Sequence, residues 1–340
     1  MMNFNIRVCG LLASLVLAAC GGGGGGGDSS GGGGSTATAV VITSSNSQAL
    51  AAEALAASSN TDAGSGAAFV TGVQVSGGST GSNAALLGLA ARKLVSMAPS
   101  GSALATGVAT SQTIACASGG SLTMTANMSG GPTIVAGDSM QITANSCTES
   151  LDGASAVMNG SMTFTYLAAY DPASTAYPKT LSVRIVTQNF SISSGGDTEA
   201  FNGDVTLTLT ETSATSFTMS MTSNSLSTTL GTHSVTLINY SVNAEETSSG
   251  TVITMSATVE TSNSRLGSGP VSYQVATVTP IKVSSSGVVT SGSIKVTGNN
   301  SSLLLTVTSA DTFTLQVDSN GDGTYESTST VPHSQLQAVL

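Results

Sequence analysis

The chain has 340 residues, of which only 8% are charged and 4% aromatic, no Trp, and a formal net charge of −10. That charge excludes nucleic acid and anionic headgroups as electrostatic partners, while the length suits one large domain or two ordinary ones. Abundant Ser, Thr and Gly describe a surface solvated by hydroxyls and a backbone suited to extended strands.

In chain order, a short segment with Arg7 leads into an apolar run over residues 8–16, too short to span a bilayer but of signal-peptide length. Leu17-Ala18-Ala19-Cys20 comes next, and then an unbroken glycine run over residues 21–27. Small residues before a cysteine resemble the lipobox of bacterial lipoproteins. The resemblance implies that residues 1–19 are a signal peptide, that cleavage falls before Cys20, and that the Cys20 thiol carries the lipid anchor. In such lipoproteins Asp after the anchored cysteine favours the inner membrane, so Gly21 implies the outer membrane, facing the periplasm or the cell surface. Residues 20–36, nearly all Gly and Ser after the cysteine, read as a coil-like tether with a reach of roughly 20–24 Å. No later apolar run is long enough for a spanning helix.

Residues 37–115 read as a helical and mixed segment that packs on a sheet formed by the rest of the chain. Ser45-Asn46-Ser47 is an N-cap cluster for an Ala-rich helix over 48–57. Asn83 caps a second helix over 84–97, ended by Pro99, with Arg92 and Lys93 toward its C-terminal end. Leu86, Leu87, Leu89, Leu94 and Val95 leave that helix little polar face, so it belongs against something larger.

Two cysteines remain once Cys9 leaves with the signal and Cys20 is lipidated. Cys116 and Cys147 flank a turn-like Ser129-Gly130-Gly131-Pro132, so folding the chain there brings them face to face across a hairpin. A disulfide would close a loop of about 31 residues, worth roughly 3.5–4 kcal/mol in the chain-entropy model. The alternative, two free thiols, lacks a C-x-x-C motif to support it.

Residues 116–340 alternate with period two and form the expected antiparallel β domain. Met158, Met162, Phe164 and Tyr166 share one face; so do Phe201, Val205, Leu207 and Leu209; Phe217, Met219 and Met221; Ile253, Met255, Ala257 and Val259; and Phe313, Leu315 and Val317. A phrase recurs within this pattern. Gly120-Ser-Leu-Thr-Met-Thr, Gly160-Ser-Met-Thr-Phe-Thr, Gly203-Asp-Val-Thr-Leu-Thr and Gly292-Ser-Ile-Lys-Val-Thr are variants of it, and Gly250-Thr-Val-Ile-Thr-Met is a looser copy. The interval is about 43 residues, the length of a hairpin unit. Each glycine shares the apolar face, where it permits a bend or the close packing of a neighbouring aromatic. Some ten strands are too many for a flat sheet. The expected fold is therefore mainly β: a long antiparallel meander curled into a half-barrel or barrel-like sheet, with two short N-terminal helices packed on it. A closed barrel and a two-sheet sandwich remain alternatives; a transmembrane barrel is disfavoured by the scarcity of aromatics.

Asp318-Ser319-Asn320-Gly321-Asp322-Gly323 spaces oxygen ligands as the start of a Ca²⁺-binding EF-hand loop does. Position twelve is Ser329 instead of Glu, and the flanks alternate like strands, so Glu326 is the further candidate ligand beside Asp318, Asn320 and Asp322. The competing reading is a plain Asn-Gly hairpin turn. No other cofactor is indicated.

Catalytic constellations are poor: His233 and His333 are far apart in sequence, and no nucleophile elbow or phosphate loop is present. Asp197/Glu199 and Glu245/Glu246 read as loop acids, and the strand methionines as core. The layout as a whole resembles secreted proteobacterial lipoproteins, on its lipobox, glycine tether, cysteine-bracketed first hairpin and a meander ending in Gly321-Asp322-Gly323-Thr324-Tyr325-Glu326. The expected function is non-enzymatic: a membrane-tethered binding or envelope-structural protein, with an envelope protein as candidate partner. The alternative is a carrier holding an apolar ligand, lipid or lipoprotein, in the curled sheet.

Overall fold

The computed structural model describes residues 37–58, 110–129, 133–151, 154–171, 174–213, 216–230, 233–285, 288–310 and 312–337. Cys20, the glycine tether and the helix expected over 84–97 lie outside these residues.

Strands dominate the described chain. The first are β1 (Thr38–Ala39), β2 (Thr110–Ala115), β3 (Ser121–Asn127), β4 (Ser139–Leu151) and β5 (Ala154–Tyr166). The next five are β6 (Lys179–Ser194), β7 (Asp197–Ser213), β8 (Ser216–Leu230), β9 (His233–Thr247) and β10 (Gly250–Thr261), of which β6 to β9 are the longest strands described. The last are β11 (Val271–Ser284), β12 (Val289–Gly298), β13 (Ser301–Ser309), β14 (Thr312–Asp318) and β15 (Ser327–Pro332). Two helices accompany them, α1 (Ser47–Ser58) and the short α2 (His333–Gln337). From β2 to β15 each strand pairs with the next, giving one antiparallel meander; β1 lies off this path and pairs parallel with β11. The sheet is not closed into a barrel, since β2 and β15 are its two ends. A one-faced sheet of this width has to curl to bury its apolar side. The sheet starts at Thr110, six residues before the domain boundary expected at 116, and β1 belongs to it as well. Of the two helices expected, the one over 48–57 is present as α1; the second described helix is C-terminal and packs against α1.

The inner face is built by alternation. On β10 every second residue from Thr251 to Thr261 is buried, and most of the buried apolar side chains of the sheet form one cluster with Ala49, Leu50, Ala51, Ala52 and Ala54 of α1. The outer face carries hydroxyls that bond across strands, as in Thr113–Thr123 at 2.9 Å and Ser182–Thr208 at 3.1 Å. An ion pair on that face joins Arg184 to Asp204.

A line of bulges crosses the sheet. On β6 burial runs Leu181, Val183, Ile185, Thr187 and then Phe190, Ile192; the extra residue is Asn189, at φ 48°. On β9 it runs Val235, Leu237 and then Tyr240, Val242, with Asn239 at φ 51°. On β4 it passes from Ala144 to Cys147 across Ser146, at φ 48°. Each bulge adds one residue to one strand and shifts the pairing register there. Two of the repeated glycines serve these bulges. A Cβ on Gly160 would lie 2.1 Å from the Asn189 carbonyl oxygen, and one on Gly120 would lie 1.9 Å from that of Ser146. What approaches each of these glycines is therefore the neighbouring backbone, not an aromatic side chain. The residue before Gly160 completes the device: Asn159 Oδ1 accepts the Ser146 N–H at 2.8 Å, and Asn202, before Gly203, accepts the Asn189 N–H at 2.7 Å. Gly120 immediately precedes β3 and the others stand on β5 and β7, then on β10 and β12, so the two-strand period slips by one strand between Gly203 and Gly250.

Candidate functional site

The loop between β14 and β15 gathers the acids expected to hold a cation. Asp318 ends β14 and is buried; its Oδ1 accepts the Gly321 N–H at 2.7 Å and its Oδ2 the Gly323 N–H at 3.1 Å. Both glycines take positive φ, 76° and 87°, which lets the loop wrap round that carboxylate. Asn320 Oδ1 accepts the Asp322 N–H, and the Asn320 amide donates to Asp322 Oδ2 at 3.2 Å. Glu326 Oε2 accepts both the N–H and the hydroxyl of Ser319. The N–H of Thr324, with the Asn320 amide, holds the exposed Asp322 carboxyl below the usual carboxylate range. One carboxylate oxygen each from Asp318, Asp322 and Glu326 fall within 4.8 Å of one another. The loop is thus a hairpin connection ordered by its own acids, and those acids converge as a hard cation requires. The strand–loop–strand setting matches the flanks expected from sequence and differs from the helical flanks of an EF-hand.

The disulfide expected between Cys116 and Cys147 is present, with Cα atoms 5.4 Å apart. It ties the turn after β2 to the middle of β4, past the start of β3. Met124 pairs with Ile142 and Leu122 with Ala144 in the hairpin between the cysteines. Glu149 is buried beside it and accepts the Ala117 N–H at 2.8 Å.

A second cluster is not foreshadowed by any sequence motif. Glu53, on α1, is 2% exposed. Its carboxylate accepts hydrogen bonds from the Tyr273 hydroxyl on β11 and from the Asn263 amide in the turn after β10. Burial pushes the Glu53 carboxyl above its ordinary value, against the pull of those two donors. Burial also pushes the Tyr273 hydroxyl well above its ordinary value, with the charge and hydrogen bond of Glu53 adding to the effect. One signal in the sequence could have found it: Glu53 is the lone charged residue of S-Q-A-L-A-A-E-A-L-A-A-S, three and four positions from the buried Leu50 and Ala49.

The remaining candidates stand apart. His233 opens β9, while His333 sits edge-on to the Phe313 ring, 5.7 Å between centroids. The acids expected in loops are on strands instead: Asp197 and Glu199 begin β7, where Glu199 is buried, and Glu245 and Glu246 lie near the end of β9. Met124, Met162, Met219, Met221 and Met255 are buried on the inner face, as the core reading expects. No helix among the described residues is long and apolar enough to cross a membrane. Comparison with protein-family models, with curated proteins and with solved structures finds no match.

Proposed function

We propose that the protein is a lipoprotein held in the outer membrane through Cys20, facing the periplasm or the cell surface, and that it acts by binding or by structural presence in the envelope without catalysis. The observation that carries the reading is the join between leader and fold. Residues 38–42 are built into the sheet: the Thr38 and Val40 N–H groups donate to the Pro270 and Ser272 carbonyls, and the Asn299 N–H donates to the Val40 carbonyl at 2.7 Å. A chain anchored at Cys20 thus has one fixed root on the domain. Labelling cells with an alkyne analogue of palmitate tests it: the parent takes up label and Cys20→Ala does not. Equal labelling of the two overturns the proposal.

A carrier needs room inside the curl. Tyr240, Phe190, Phe201 and Phe313 are each less than 2% exposed on the inner face, which supports a filled core and a role without a carried lipid. Native mass spectrometry of gently extracted protein should give the mass of the protein with its anchor alone; a co-purified lipid in stoichiometric amount favours the carrier.

A second reading attaches to the loop after β14, on the convergence of the Asp318, Asp322 and Glu326 carboxylates. We propose that it takes Ca²⁺ weakly, near the 10⁻⁴–10⁻³ M range of extracellular modules, with Asn320 as the fourth oxygen donor. Millimolar Ca²⁺ should then raise the melting temperature of the parent over that in chelator and leave Asp322→Ala unchanged. The absence of a shift in the parent leaves a hairpin turn ordered by hydrogen bonds alone.

A further inference from the structure

The position of the root assigns an orientation to the whole sheet. β1 runs parallel to β11 and enters beside its first residues, Thr38 opposite Val271 and Ala39 opposite Ser272. The chain then passes Asn299, which donates its N–H to Val40, and Ser301, whose hydroxyl accepts the Ile42 N–H at 2.8 Å. Because neighbouring strands are antiparallel, the start of β11, the turn between β12 and β13 and the end of β14 share one end of the sheet, Gly298 facing Ser301 and Ser302 facing Asp318. The acidic loop belongs to that end too: a Cβ on Gly321 would lie 3.0 Å from the Asn300 backbone.

Resting on the reading of Cys20 as the lipid anchor, we propose that this end, made by the turns over 262–270 and 299–300 and the loop over 319–326, is the face turned to the lipid headgroups. Read as a coil-like tether, the chain between Cys20 and Ala37 has a typical reach of roughly 20–24 Å, and its root is fixed at this end. β10 has 12 residues, which set the two ends of the sheet about 40 Å apart. The root end is therefore the nearer one. The carboxylates of Asp318, Asp322 and Glu326 are repelled by anionic headgroups and stop this end from embedding, so the tether alone holds it near the surface. The large apolar side chains most exposed at the opposite end, Leu167, Tyr177, Val252 and Val288, then point away from the bilayer.

The test places one fluorophore at each end of the full-length lipidated protein, on Ser268→Cys near the root and on Ser248→Cys in the turn between β9 and β10. Both positions are exposed, and the native pair Cys116–Cys147 is closed as a disulfide, so only the introduced thiol takes label. The protein is bound to vesicles of phosphatidylethanolamine and phosphatidylglycerol that carry an acceptor dye on their headgroups. Energy transfer from position 268 should exceed that from position 248 at least twofold. Equal or reversed transfer from protein that floats with the vesicles overturns the orientation and leaves the anchor standing. Parent protein that does not float with them overturns the anchor, and the orientation with it.

Discussion

Glu53 is an acid placed where a helix of alanines meets the sheet, and its chemistry derives from that placement. A carboxylate there loses its water, and the two donors that reach it, Tyr273 and Asn263, offset only part of the loss. The folded carboxyl consequently holds its proton more tightly than the unfolded one. By linkage its contribution to stability is fully present below the ordinary value of 4.5 and is lost as pH rises through the higher folded value. Glu53→Gln keeps the shape and both contacts, because its amide oxygen accepts from Asn263 and its amide nitrogen donates to the Tyr273 oxygen. Urea denaturation from pH 4 to pH 8 should therefore show the two proteins converging at the acid end. At pH 8 the variant should be more stable by about 1–3 kcal/mol. Parallel profiles would mean that Glu53 does not titrate in this range. The cluster is hard to see in the sequence because its partners lie more than 200 positions away, whereas the acids of the C-terminal loop are neighbours in the chain and are legible as a set.

At the scale of strands, period-two alternation makes the sheet readable, and the same assumption hides its bulges. A pure alternation cannot place both Ile185 and Phe190 on the inner face; an extra residue between them can, and Asn189 is that residue. The repeated glycine phrase is visible, but Asn159-Gly160 and Asn202-Gly203 carry the chemistry of a hairpin turn and sit in mid-strand, where the amide clamps a neighbour's bulge. The prediction at this scale is steric. Gly160→Ala puts a methyl 2.1 Å from a backbone carbonyl at a residue with φ 92°, so it should cost about 3 kcal/mol or more in denaturant unfolding. Gly269→Ala, which meets nothing within 4 Å, should stay within about 0.5 kcal/mol of the parent. Equal effects would show that the bulges tolerate a side chain and do not depend on glycine.

For the molecule as a whole, the meander order, the disulfide and the first helix are all legible, because hairpins, a lone cysteine pair and a capped alanine run are local signals. The pairing of β1 with the first residues of β11 is not, since two residues of parallel pairing leave no pattern in a sequence. On the proposed reading of Cys20 as the lipid anchor, that pairing is where the tether over residues 20–36 meets the sheet. The most direct measurement is mass spectrometry of the N-terminal peptide of protein extracted from membranes. A mature chain that begins at Cys20 and carries a diacylglycerol on its thiol is the predicted result. An N-terminal peptide running intact from Leu17 through Gly21, with an unmodified Cys20, would contradict lipid anchoring and the orientation built on it.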